Sequence, residues 1–196
     1  MTILVAAPTY SGKDFARPAY LAAYEAFTYP DRRLFLVDNT RGTLAYARKL
    51  RGLSVETAHV EPAADFWTMM DECWRVMVER AHELGCEWLA SIETDVVCPP
   101  NTLEVLLAGD DGRGLVTHGV PQHDRFHFDM WGIGCALLRT ETLYESRYLW
   151  ATHPEAVVDL LQPVQLKGLL EIEHLEDPSE PLWEGGEGKV FGSGRG

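Results

Sequence analysis

Three short apolar runs, each ending abruptly in polar groups, constrain this chain more than any other feature: Ile3-Leu4-Val5-Ala6-Ala7, Leu34-Phe35-Leu36-Val37 and Trp88-Leu89-Ala90-Ser91-Ile92. Each is of strand length, and an unbroken apolar pattern, instead of an alternating one, is what a strand buried on both faces requires. Strands of that kind belong to parallel sheets with helices packed on each side. Helix-like segments separate the runs, so the order of elements predicts an α/β fold: a three-layer sandwich around a mainly parallel central sheet.

The punctuation between the runs fits the same plan. Pro8-Thr9-Tyr10-Ser11-Gly12 forms a turn cluster, and Pro18 occupies a first-turn helical position, predicting a helix that continues from Ala19 to Phe27. Gly42 to Leu50 reads as a modest helix and Ser54 to Val60 as a weakly alternating strand. Asp65 reads as the N-cap of a longer helix, with Phe66, Met69, Met70, Cys73, Met77, Ala81 and Leu84 on one apolar face and Gly85 at its end. Beyond the third run the expected elements are a helix over Asn101–Ala108, strands over Leu115–Val120 and Gly132–Arg139, a short helix from Thr140 to Tyr144 and a final strand over Leu169–His174. A further helix is expected over 154–161, and the tail from Trp183, rich in Gly and Glu, predicts little order of its own.

A chain of 196 residues supports one domain with a substantial core. Its four cysteines, Cys73, Cys86, Cys98 and Cys135, match neither a disulfide framework nor a zinc pattern, so reduced, buried thiols are expected. The formal net charge of −13 disfavours nonspecific nucleic-acid binding without excluding a specific complex. That charge is uneven: residues 1–51 hold eight Lys or Arg and four Asp or Glu, the remainder nine against twenty-six. A basic amino-terminal portion beside an acidic remainder suits a phosphorylated ligand held partly through a cation, although uneven surface decoration gives the same tally. No apolar stretch reaches membrane-span length and no signal-type leader is recognisable, so a cytoplasmic protein is expected.

In a parallel sheet the carboxyl ends of the strands lie along one edge, where ligands bind. The three runs would bring Pro8-Thr9-Tyr10, Asp38-Asn39 and Glu93-Thr94-Asp95 together there. Asp and Asn also close strands simply because they stabilise turns, so it is the coincidence of three such ends that points to a ligand. Asp38 is placed to accept hydrogen bonds from a base or ribose, and Tyr10 to pack beside the base. Glu93 and Asp95 offer hard oxygen ligands for a divalent cation, Mn2+ or Mg2+, bridging to phosphate. A P-loop is excluded because Ala7 and Asp14 stand where Gly and Ser or Thr are required around Gly12-Lys13, although Lys13 or Arg17 remains a candidate phosphate contact. The dinucleotide fingerprint is also missing after the first strand, which weakens an oxidoreductase reading.

Taken together, Ala7-Pro8-Thr9-Tyr10, Val37-Asp38-Asn39 and Glu93-Thr94-Asp95-Val96-Val97-Cys98-Pro99-Pro100-Asn101 resemble the nucleotide-sugar-dependent glycosyltransferases of the GT-A fold. Trp131-Gly132-Ile133-Gly134-Cys135-Ala136-Leu137-Leu138-Arg139-Thr140-Glu141 is similar to that family's small-residue strand and the helix start after it, so the likeness spans roughly residues 3–145. It departs from the D-x-D motif at Glu93, which keeps the charge on a longer arm. The resemblance implies a single domain over 1–182, with a nucleotide-binding half (1–100) and a sugar and acceptor half (101–182); composition alone marks 183–196 as a Gly/Glu-rich flexible tail.

The resemblance also implies residue roles. Asp95 would be the direct metal ligand, with His174 as a further ligand from a late strand and His153 as its competitor. Pro8, Thr9, Tyr10, Asp38, Glu93 and Thr94 would line the nucleotide, UDP or GDP carrying a sugar. Trp131 and Gly132 would line the sugar and acceptor site, and Asp129 would be the base for an inverting reaction, with Glu173 and Asp124 as alternatives. His118, His123 and His127 cluster in sequence but fit no zinc spacing. The function implied is metal-dependent transfer of a sugar from a nucleoside-diphosphate donor to an unidentified acceptor. Two other readings stay open: a catalytically silent nucleotide-sugar-binding module, and a sugar-phosphate nucleotidylyltransferase.

Overall fold

Alternate residues of the first apolar run enter two different cores. In β1 (Ile3–Thr9), Ile3, Val5 and Ala7 join one cluster and Leu4 and Ala6 the other, all without exposed surface. A computed structural model describes residues 1–63, 66–118, 134–144, 164–166 and 169–175. Beside β1 stand β2 (Arg32–Asp38) and β4 (Trp88–Ile92), with β3 (Glu56–His59) beyond β2, and β5 (Val96–Val97) follows β4 at once. β6 (Leu115–His118), β7 (Cys135–Arg139), β8 (Val164–Leu166) and β9 (Glu173–His174) complete the described strands. The main sheet runs β3-β2-β1-β4-β7-β6-β8.

Its first four strands are parallel, whereas β7 runs antiparallel to both β4 and β6. The sheet is thus mainly parallel with one reversed strand. Helices cover both faces. α1 (Arg17–Ala26), α2 (Ala45–Gly52) and α4 (Thr102–Ala108) place Tyr20, Tyr46, Leu50, Leu103 and Leu106 in the first core. α3 (Phe66–Glu83) places Cys73, Trp74, Met77, Val78 and Ala81 in the second. That is the three-layer sandwich expected from the unbroken apolar runs.

Where boundaries differ from expectation, local physics gives the reason. α2 starts at Ala45 and not Gly42, because Gly42 sits at φ 70°, outside helical space. α3 ends where expected, with Gly85 at φ 64°; its expected N-cap, Asp65, lies outside the described residues. β1 continues through Pro8, a residue that central strands normally exclude. Ile3 N–H donates to Asp31 O, and Thr9 O accepts from Asn39 N–H, so the odd-numbered residues bond to β2. Pro8 therefore faces the β4 side, where pairing has already ended at Ala6 and Ser91, and its missing N–H breaks no ladder.

The stretch from Leu169 to His174 does alternate as a strand would: Leu170 and Ile172 are buried and Leu169 is exposed. It nevertheless pairs only at Glu173–His174, with β5 and not with the main sheet. β8, only three residues long, carries no sequence signal of its own and is an addition to the expected strands. The four cysteines are free, buried thiols. The expected helix over 154–161 and the tail 183–196 lie outside the described residues. No helix among those described is long and apolar enough to cross a membrane.

Candidate functional site

Parallel pairing brings the carboxyl ends of β1, β2, β3 and β4 to one edge. Thr9 and Thr94 meet there, their hydroxyl oxygens 3.2 Å apart and both buried, tying the end of β1 to the turn after β4. Asp38 is fully enclosed. Its Oδ1 accepts from the Thr40 backbone N–H at 2.9 Å and the Thr40 hydroxyl at 2.6 Å, and His59 Nδ1 lies 2.9 Å from its Oδ2. The Thr40 hydroxyl oxygen in turn accepts from Ser11 N–H at 2.9 Å. Asp38 thus organises the rim: through Thr40 it holds the turn that follows β1.

That turn, a single 3₁₀ turn over Ser11–Lys13, displays Tyr10, whose surface is 46% exposed. Gly12 lies directly against the Tyr10 ring, and a Cβ built on it would collide with the ring edge. Glycine there lets an aromatic face lie open beside the strand ends.

The acidic part of the site is built by the turn after β4. Glu93 N–H donates to Gly134 O at 2.9 Å and Val96 N–H to Glu93 O at 2.9 Å, which fixes the turn on β7. β9 then pairs with β5, and Leu175 N–H donates to Asp95 O at 2.7 Å. That docking carries His174 to the site from far along the chain, with Nε2 3.6 Å from Asp95 Oδ2. Glu93, Asp95 and His174 each turn a ligand atom inward, and these atoms lie within 4.8 Å of one another.

Lys13 Nζ lies 2.8 Å from Asp95 Oδ1 and 3.5 Å from Glu93 Oε2. Burial works to lower the Lys13 pKa, but the charges of Glu93 and Asp95 outweigh it and hold the ammonium above its ordinary value. The two carboxylates are hard oxygen donors that fit Mn2+ or Mg2+, and His174 sets an imidazole nitrogen beside them. The lysine agrees with that fit, since a positive charge already stands against the same oxygens.

The described site unites Pro8, Thr9, Tyr10, Asp38, Glu93, Thr94, Asp95 and His174. Of these, Thr9 and Thr94 are engaged with each other and Asp38 with Thr40 and His59, so Tyr10, Glu93 and His174 are the more exposed members. Glu173 precedes His174 on β9 and is exposed. Asp124, Asp129, Trp131, Gly132, His123, His127 and His153 lie outside the described residues. His118 is buried at the end of β6, where Nε2 accepts from Leu170 N–H at 3.2 Å. His59 belongs to no motif in the sequence; its one signal is its place, ending the fourth parallel strand in register with Asp38.

A mainly parallel sheet with one reversed strand and helices on both faces is a GT-A-like fold. No protein-family model and no curated protein matches this chain by sequence. Solved structures match it in three dimensions. TarS of S. aureus superposes with a TM-score of 0.61 at 16% identity, over 91% of this chain and 37% of TarS. Glucosyl-3-phosphoglycerate synthase of Mycobacterium tuberculosis, solved with Mn2+, UDP and glucosyl-3-phosphoglycerate, gives 0.60 at 12% identity, over 90% of this chain and 73% of that one. A 4-diphosphocytidyl-2C-methyl-D-erythritol synthase gives 0.63 at 14% identity, covering 91% and 95%. The chain thus spans little more than a third of TarS, and what it shares with these proteins is the fold.

Proposed function

We propose that this chain is a metal-dependent glycosyltransferase that takes a sugar from a UDP or GDP donor. The observation that carries the reading is the convergence of Glu93, Asp95 and His174 at the carboxyl end of β4, beside an exposed Tyr10. A divalent cation held there would supply Lewis-acid stabilisation of the diphosphate leaving group. Tyr10 offers a face on which a base packs, and Asp38 sets the rim against which the base and ribose are read. Lys13 adds a donor for phosphate oxygens. Asp129 is the proposed base toward the acceptor hydroxyl, from its place just before Trp131-Gly132 in the sequence; the acceptor is unspecified.

The size match to the 4-diphosphocytidyl-2C-methyl-D-erythritol synthase favours a second reading, nucleotidyl transfer. A nucleotidyltransferase is expected to carry a glycine-rich, basic loop after the first strand. Here the strand runs into Tyr10 and the short Ser11–Lys13 turn, which supports the diphosphate donor instead.

Thermal unfolding with UDP, GDP and CTP, with and without Mn2+, separates the readings. At a ligand concentration of 100 times Kd, binding adds about 2.7 kcal/mol. For a chain of this size that raises Tm by roughly 5–10 °C. The expected shift comes from UDP or GDP and needs Mn2+; a shift from CTP alone would favour nucleotidyl transfer.

A further inference from the structure

Lys13 closes the turn after β1, and its side chain crosses to the end of β4, where Asp95 Oδ1 and Glu93 Oε2 receive it. The side chains of Lys13 and Asp95 are 22% and 10% exposed, so the contact is largely withdrawn from water. Resting on the reading of Glu93, Asp95 and His174 as a cation site, we propose that Lys13 is an internal competitor for it. The ammonium and the divalent cation are alternative occupants of the same carboxylates.

Three features lead there. A cation held by Asp95 and Glu93 would draw on the same carboxylate oxygens that Nζ now contacts, and two positive charges so close would repel strongly in a partly buried setting. Without any cation, a carboxylate as enclosed as Asp95 would stand uncompensated, which is costly; the lysine removes that cost in the metal-free protein. The backbone beneath Lys13 is anchored, its N–H donating to Tyr10 O at 2.9 Å, while the four-carbon stem has the rotatable bonds needed to carry Nζ elsewhere. Displaced from Asp95, the ammonium stays at the rim of the site, where a diphosphate takes it up. Nucleotide therefore favours the lysine-out state that the metal also needs, and the two ligands assist one another.

The test is Mn2+ binding to the nucleotide-free protein, read from the spectroscopic signal of the free aqueous ion. A site open in about one molecule in ten shows an affinity about tenfold below its intrinsic value. Lys13→Met, which keeps the stem and removes the charge, should bind Mn2+ about tenfold tighter than wild type. Lys49→Met removes one charge from a lysine paired with Asp14, away from the carboxylates, and should leave the affinity unchanged. Lys13→Arg, whose planar fork grips a carboxylate more firmly, should bind Mn2+ more weakly than wild type. It serves as the deciding variant if Lys13→Met does not fold. Equal or weaker Mn2+ binding by Lys13→Met overturns the competition, as does equal or tighter binding by Lys13→Arg, or an equal gain from Lys49→Met. In those cases the cation site itself stands, because wild type still binds. If neither wild type nor Lys13→Met binds Mn2+ even with UDP or GDP present, the cation site falls, and the competition with it.

Discussion

Asp95→Ala is expected to abolish the Mn2+-dependent stabilisation by UDP or GDP while leaving the protein folded. Asp95 is the member that the rest of the site shares: Oδ1 meets Lys13, and Oδ2 faces His174. Without its carboxylate, Glu93 and His174 stand alone with side chains 39% and 44% exposed, too few and too hydrated to hold a cation. The fold survives because the structural bond at this residue is made by its backbone, whose oxygen accepts Leu175 N–H and keeps β9 docked. Lys13 keeps Glu93 as a partner, with Nζ 3.5 Å from Oε2, and the more exposed His174 rehydrates when the carboxylate goes. The ligand-free variant should melt within roughly 5 °C of wild type. An Mn2+-dependent nucleotide shift of wild-type size in Asp95→Ala would remove the residue from the metal role.

Leu89→Ala should cost far more stability than any truncation at the site. Leu89 has no exposed surface, lies within β4 and is flanked in register by Leu4 on one side and Leu138 on the other. All three belong to the core under α3. Its truncation removes packed methyl groups and leaves a cavity that two strands and a helix layer cannot close, at a cost of about 2–5 kcal/mol. That corresponds to a fall in Tm of roughly 4–20 °C. Leu169→Ala, at a residue 63% exposed, is the matched control and should change stability by no more than about 0.5 kcal/mol. Denaturant unfolding measures both; similar losses from the two would mean that β4 is not packed as described.

The same strand shows how far sequence alone reaches. Trp88–Ile92 reads as a doubly buried strand because every residue in it is buried, and burial on both faces leaves an unbroken apolar signature. The site members at the ends of β1, β2 and β4 are legible for a related reason, since parallel strands carry their ends to a common edge. The reversal of β7 is not legible, because Cys135–Arg139 is equally apolar whichever way it runs. Nor can the partner of Glu173–His174 be read, since two residues of pairing with β5 leave no pattern. Asp38 shows a further limit: its position is evident, but its complete enclosure by Thr40 and His59 depends on side-chain geometry. Lys13 is visible as a phosphate candidate, while its reach to Asp95 depends on how tightly the Ser11–Lys13 turn folds back.

Whether this chain turns over a nucleotide-sugar donor with a divalent cation is decided by incubating the purified protein with UDP- and GDP-sugars and measuring release of the free nucleoside diphosphate. Slow release is expected without any acceptor, from one donor class, dependent on added Mn2+ or Mg2+ and lost on chelation. Tight metal-dependent binding of UDP or GDP with no release from any donor would contradict a glycosyltransferase, and would make the chain a nucleotide-sugar-binding module without catalysis.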